Sequence, residues 1–342
     1  MPVAFVADVH VGNHRLLGGP IEAGLNARCR ATVAVLEAAA LRAGKIGCSH
    51  LFILGDLFDT DRPSPQMLAA VQRAIARGPE CVLLVGNHDM TSSTPGDHAL
   101  APLYHDGVIV DTTSYVEGVR LVPFNVGDAR EWLPKACAGL RDGILATHVG
   151  IIDGATPPWL VAAHDAVPLT QLEELAKAHG FTHVIAGNWH EHKRWSRGGV
   201  EVIQVGALVP TGWDNPGLDG YGSIVVVADD GGVVVESLPG PRFCRAGSLA
   251  ESEKLLARAR KDGHRLYLRV EDGAHVPDPM PDFTFVIEGS LVSSDGAVRE
   301  AAASAKDAET TTEALDAFVK AMPLADGVDR DAVLERCRGF LK

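Results

Sequence analysis

The sequence predicts an α/β protein: two β-sheets packed as a sandwich with helices outside them, four layers in the order α/β/β/α, followed by a small α+β cap. Three observations predict it. Short apolar strands alternate with helices through the first two-thirds of the chain, which is the pattern of a sheet layered by helices. Acids, amides and histidines follow those strands directly. The character of the chain then shifts near Pro239-Gly240-Pro241.

Val3–Ala7, Leu51–Leu54, Val82–Val85, Ile144–Ala146 and His183–Ala186 are apolar and often β-branched, so they read as buried strands. Ala27–Arg42 reads as a helix, with Asn26 as its N-cap and Gly44 as its stop. Pro65–Arg77 is a second helix ended by Gly78-Pro79, and Gln171–His179 a third ended by Gly180. From Val200 to Leu238 consecutive strands and Gly-rich turns, including Ile224–Val227 and Gly232–Glu236, suggest an antiparallel-leaning second sheet. Beyond Pro241, His264–Val270 and Phe283–Glu288 read as strands. Thr310–Met322 and Arg330–Leu341 read as helices separated by Pro323–Gly327. The expected domains are 1–241, holding the chemistry, and 242–342, the cap and C-terminal helices.

Composition sets bounds. With 342 residues, 46% hydrophobic and 22% charged, the chain can bury a proper core. No apolar run approaches the roughly 20 residues that cross a membrane. Pro2–Ala7 has no basic region before it and reads as a strand, not as a signal peptide, so a cytoplasmic protein is expected. The six cysteines are widely spaced with no Cys-x-x-Cys pair, which argues against a zinc ribbon or a disulfide framework. A net charge of −13 excludes bulk electrostatics as the grip on a nucleic acid.

The chemistry lies in five clusters. Asp8-Val9-His10, Gly55-Asp56-Leu57-Phe58-Asp59, Gly86-Asn87-His88-Asp89, Thr147-His148 and Gly187-Asn188-Trp189-His190-Glu191-His192 each end a strand. Ligands of open α/β sheets gather beyond the carboxyl ends of strands, so the clusters are expected on one rim. Carboxylate, amide and imidazole donors without thiolates suit a pair of Mn, Fe or Zn ions. Asp8 and His10, two apart, can serve one ion, and Asp56 can bridge two. Cations about 3.5–4 Å apart would share a hydroxide and clamp an in-line displacement at phosphorus.

In this order the clusters resemble the signature of the calcineurin-like metallophosphoesterases, over about Val3–Pro241. The Gly55–Ser64 run, Val205-Gly206-Ala207-Leu208 and Tyr221-Gly222 are similar to the SbcD-like nuclease subunit of bacterial and phage DNA-repair exonucleases. The resemblance implies a manganese-dependent DNA exonuclease. One metal would be held by Asp8, His10 and a late histidine, the other by Asn87, His148 and a further histidine, with Asp56 between. His88 would protonate the leaving oxygen, steadied by Asp89. The family's last motif is usually Gly-His-x-His, and here Asn188 follows Gly187. A gap-free match puts Asn188 and His190 on the metals. A local bulge puts His190 and His192 there, which the better ligand chemistry of imidazole favours. Implied partners are DNA and a coiled-coil ATPase of the SbcC type, with a second copy of the chain as a further candidate. A small-molecule phosphodiesterase, acting for instance on cyclic nucleotides, shares every ligand. A non-catalytic binding subunit is the third reading. Lys193, Arg194, Trp195 and Arg197 are candidates for gripping a nucleic-acid backbone or are simply an exposed hairpin. Asp59 either orients a ligand or caps its turn.

Overall fold

A computed structural model describes residues 1–262 apart from 15–16, 95, 214, 216–217 and 219–221, and beyond them 266–270, 284–288, 316–317, 319–320 and 329–339. In chain order the strands of the sandwich are β1 (Val3–Val6), β2 (His50–Leu54), β3 (Glu80–Leu84), β4 (Val108–Val110), β5 (Ser114–Val116), β6 (Val119–Val122), β7 (Gly143–His148), β8 (Phe181–Gly187), β9 (Lys193–Arg197), β10 (Val200–Gln204), β11 (Gly222–Val227) and β12 (Val233–Leu238). They form two six-stranded sheets, ordered β12-β11-β1-β2-β3-β4 and β9-β10-β8-β7-β6-β5.

The five strands that precede the clusters are therefore shared between two sheets. β1, β2 and β3 run parallel in the first, with Phe5 opposite Phe52 and Phe52 opposite Val82. β7 and β8 run parallel in the second. The expectation that Val200–Leu238 builds the second sheet needs correction. β10 extends the sheet of β7 and β8, whereas β11 returns to pair antiparallel with β1 in the first. Both positions are apolar on two faces, so composition does not distinguish them.

Side chains alternate along each strand and so sort into layers. Ala4, Val6, Leu51, Ile53 and Leu83 face the helices α1 (Ala27–Ile46) and α2 (Pro65–Ile75). Phe5, Phe52, Leu54, Val82 and Leu84 face the second sheet, meeting Leu121, Ala146, Ile185 and Ile203. Beyond that sheet, Leu145, Val184 and Val202 pack on helices α3 (Ala129–Ala136) and α4 (Leu169–His179). The result is the expected four layers. At the sheet interface Phe5 and Phe52 stack with centroids 5.1 Å apart, worth about 0.5–1.5 kcal/mol beyond the area they bury.

The helix ends follow from their caps. Asn26 accepts from the Cys29 amide at 2.8 Å, and Ser64 caps α2 with Pro65 in its first turn. α1 runs past the expected stop at Gly44 and ends at Gly47, whose φ of 84° supplies the left-handed turn. α3 was not expected; Asp128 caps it, but Pro134 lies inside it and masks its short pattern. α4 ends at Gly180, φ 76°, as expected.

Beyond Pro241 come strands β13 (Arg242–Ala246), β14 (Leu266–Val270) and β15 (Thr284–Glu288) and helices α5 (Leu249–Asp262) and α6 (Arg330–Gly339). α5 was not expected. Most of the expected helix Thr310–Met322 lies outside the described residues, as do Pro323–Gly327 and Tyr221. One compact unit comprises Met1–Cys244 with Leu256–Tyr267 and a later stretch, and a second begins at Arg245. Among the described residues no helix is long and apolar enough to cross a membrane.

Candidate metal centre

The loops after β1 and β2 run side by side. The amides of Asp8, His10 and Val11 donate to the carbonyls of Gly55, Asp56 and Leu57 at 3.2, 2.9 and 2.9 Å. Asp8, His10 and Asp56 all take left-handed backbone conformations, with φ of 51°, 50° and 52°. Such φ values cost energy in residues that carry a Cβ, and they concentrate where a side chain must be aimed. Asp8 and His10 thus reach the site from a turn beyond β1, not from alternate positions on an extended strand.

Gly55 and Gly86 make room. A Cβ on Gly55 would lie 2.2 Å from His148 Nδ1, and one on Gly86 would lie 2.3 Å from Asp56 Oδ1. With both positions bare, the carboxylate of Asp56 sits between two histidines. Its Oδ1 is 3.4 Å from His148 Nε2 and its Oδ2 is 3.8 Å from His10 Nε2. Asn87 Oδ1 is 2.9 Å from His148 Nε2, and His190 Nε2 is 3.0 Å from His10 Nε2 and 3.9 Å from Asp8 Oδ1. Three overlapping groups result: Asp8, His10 and His190; His10, Asp56 and His88; and Asp8, Asp56 and His148. His88 is exposed, its ring edge-on to that of His10 with centroids 5.0 Å apart.

The electrostatics are those of crowded buried acids. Burial, reinforced by the charge of Asp56, pushes Asp8 up to about 6 against the pull of His148. Burial would raise Asp56 too, but His148 and His10 outweigh it and hold its carboxyl below the ordinary range. Burial opposes a charge on His148, yet Asp56 and Asp8 carry it up to about 10. Burial, with the charge of His10, brings His190 down to about 4.

The donor set fits a pair of divalent cations. His148 Nδ1 is 2.7 Å from the Leu54 carbonyl, a bond that turns Nε2 into the cluster, toward the oxygens of Asn87 at 2.9 Å and Asp56 at 3.4 Å and beside Asp8. His10 Nδ1 is buried without a hydrogen-bond partner among the described residues; Asp59 Oδ1 lies 3.5 Å away and orients the ring by charge. Asp59 also reaches His14 Nδ1 at 3.2 Å, so it braces the site and is more than a turn former.

Residues 1–194 match the calcineurin-like phosphoesterase family. The chain belongs to that family. Among curated proteins none matches. Of the solved structures it resembles, a purple acid phosphatase from yellow lupin, Lupinus luteus, is 14% identical with a TM-score of 0.45, over 69% of this chain and 51% of that one. A dimetal phosphatase from Danio rerio is 13% identical with a TM-score of 0.44, over 69% and 95%. The protein TT1561 of Thermus thermophilus is 13% identical with a TM-score of 0.45, over 70% and 99%. Family membership rests on the sequence match, not on these likenesses.

Two of the expected residues of this phosphoesterase site, His192 and Asp89, lie outside the three groups. His192 joins none of the three groups; its Nδ1 lies 3.0 Å from the Val205 carbonyl. Asn188, φ 88°, donates its backbone N–H to both Asp8 oxygens at 3.0 Å and its side-chain amide to Asp165, while His190 lies on the Asp8–His10 side. Asp89 does not touch the His88 ring. It is fully buried, and its carboxylate accepts from the amides of Gly86, Phe58 and Leu57 at 3.0, 3.2 and 3.4 Å, tying the loops after β2 and β3 together. Burial, then Asp56, pushes it up to about 7.

The basic residues of β9 are matched by acids. Lys193 pairs with Glu191 at 3.2 Å, Arg194 with Glu201 at 2.8 Å and Arg197 with Glu173 at 3.9 Å, while Trp195 packs on the core of the second sheet. Arg62 is 83% exposed and solvated. Sequence reasoning missed His14 and Arg28, which line the cavity beside the cluster, because neither falls in a motif.

Proposed function

We propose that this phosphoesterase is a two-metal phosphodiesterase that cuts DNA, an SbcD-like nuclease subunit working with manganese. The observation that carries the two-metal reading is Asp56, whose two oxygens face His148 and His10 separately. When bound, two divalent cations would activate water and offset the charge on the phosphate. Asp8, His10, His190 and one Asp56 oxygen would hold one of them, and the other Asp56 oxygen, Asn87 and His148 the second. Asp59 fixes the His10 ring, and Asp89 fixes the two loops. His88, exposed at the mouth, is free to meet the substrate and protonates the leaving oxygen.

The DNA reading is supported by the SbcD-like runs at Gly55–Ser64 and Val205–Leu208. On this reading the region after Pro241 docks an SbcC-like coiled-coil ATPase. One observation favours the small-ester alternative: the basic residues of β9 are already paired with acids in a chain of net charge −13. The test is manganese-dependent hydrolysis of 3′-labelled duplex DNA, cyclic nucleotides and bis(p-nitrophenyl) phosphate, with Asn87→Ala and His88→Ala as controls. DNA degradation lost in both variants supports the nuclease. Turnover of the small esters alone moves the protein to the phosphodiesterases of small molecules.

A further inference from the structure

Two cavities adjoin beside the metal cluster. The first, of about 300 Å³, has His10, His88 and His190 on one side and Arg28, His14 and Thr211 among its other walls. The second, of about 280 Å³, is walled by Leu17, Trp213, Asn215 and Phe243, and it shares Arg28 and Thr211 with the first. Arg28 therefore stands at the junction. Among the described lining residues it is the one arginine or lysine of either cavity.

The guanidinium is held, not loose. Its Nη2 donates to the Thr211 carbonyl at 3.2 Å. Its central carbon lies 5.4 Å from the centroid of Phe243 and 5.8 Å from that of Tyr267, two rings stacked 4.5 Å apart. Trp213 packs edge-on to Phe243 at 5.3 Å and donates its indole N–H to the Tyr267 carbonyl at 3.2 Å. Trp213 is thus a packed wall of the second cavity. An arginine seated in this way has already lost its rotamer freedom, so binding an anion costs it little further entropy, and its planar fork suits phosphate oxygens. Asp59 also lines the first cavity and repels anions, but it is engaged by His10 and His14.

We propose that Arg28 is a specificity-determining residue: it binds a second phosphate of the substrate, next to the phosphodiester held at the metal cluster, and the recess beside Trp213 and Phe243 takes the adjoining base. This rests on the phosphodiesterase reading and narrows its substrate class. A strand with consecutive phosphodiesters meets both the cluster and Arg28; a cyclic nucleotide has one phosphate and meets only the cluster.

The wild-type protein with manganese provides the first arm. Hydrolysis of bis(p-nitrophenyl) phosphate reads the reaction, and its inhibition by thymidine 5′-monophosphate and thymidine 3′,5′-bisphosphate reads the second phosphate. The bisphosphate should inhibit about 10- to 100-fold more tightly, the range for hydrogen bonds to a charged group. The second arm compares oligothymidylate with bis(p-nitrophenyl) phosphate in Arg28→Gln and Arg28→Lys. The ratio of the two kcat/KM values should fall by a similar factor in Arg28→Gln, through KM and not kcat. Arg28→Lys should recover part of it, because the charge persists without the fork. Equal inhibition by the two nucleotides overturns the assignment without any variant having to fold. So does an unchanged ratio in Arg28→Gln, which is what a merely structural arginine gives. Absence of metal-dependent hydrolysis of the small diester would overturn the phosphodiesterase reading and this proposal with it.

Discussion

Gly86→Ala tests whether the placement of Asp56 governs turnover. An alanine Cβ there would lie 2.3 Å from Asp56 Oδ1, 2.4 Å from the Asp56 backbone nitrogen and 2.9 Å from Gly55 Cα. Two of these three atoms are backbone, so no side-chain rotation relieves the clash. Gly86 is not among the glycines in the left-handed region, so the substitution adds no conformational strain of its own. Overpacking costs about 1–3 kcal/mol. A less flexible unfolded chain offsets about 0.4–1 kcal/mol of that. The net loss, about 1–2 kcal/mol, corresponds to a Tm lower by about 2–8 °C in a domain of this size. Activity should suffer far more, since about 1 Å of misplacement at a catalytic group costs on the order of 100-fold. Calorimetry and manganese-dependent hydrolysis of bis(p-nitrophenyl) phosphate measure the two effects together. A variant that loses the expected Tm but keeps near wild-type kcat would refute the reasoning, because the clash would then be absorbed without moving Asp56.

His88→Ala should keep its full complement of metal while kcat falls by about 100- to 10,000-fold, whereas His148→Ala should lose metal; elemental analysis beside a rate assay separates them. His192→Ala should bind as many cations as the wild type, because its ring is engaged at Val205 and stands outside the three groups. A metal content lowered in His192→Ala would restore that residue as a ligand. Arg42 bonds Glu236 through two contacts of 2.7 Å, which hold the Glu236 carboxyl below its ordinary 4.5. The stabilisation is present above 4.5 and disappears as pH falls through the lower folded value. Arg42→Gln should therefore lower Tm slightly at about pH 7 and leave it unchanged in strong acid, a comparison that thermal melts across pH make directly.

The alternation of strand and helix was legible because parallel strands are buried on both faces and read as short apolar runs. The polar residues after them stood out for the same reason. The division of those strands between two sheets was not legible. Val3–Val6 and Gly143–His148 look alike, and the pairing of β1 with Gly222–Val227 joins segments more than 200 residues apart. At the site, spacing alone left Asn188 and His192 as alternatives. Neither the positive φ of Asn188 nor its backbone N–H on Asp8 is legible from spacing. Asp89 sits next to His88 in sequence yet faces the opposite way, into the loops, since its neighbours in space are backbone amides. Arg28, in the first turn of α1, meets at the cavity residues far from it in sequence, among them Thr211, Phe243 and Tyr267.

The number of manganese ions bound per chain tests the shared carboxylate of Asp56 most directly, measured by elemental analysis and by the electron paramagnetic resonance of the bound metal. Two ions whose spins interact are expected. Asp56→Asn, which weakens the carboxylate whose two oxygens face His148 and His10 separately, should lose that interaction. One ion per chain, or an interacting pair that survives in Asp56→Asn, would contradict a two-metal centre built on Asp56.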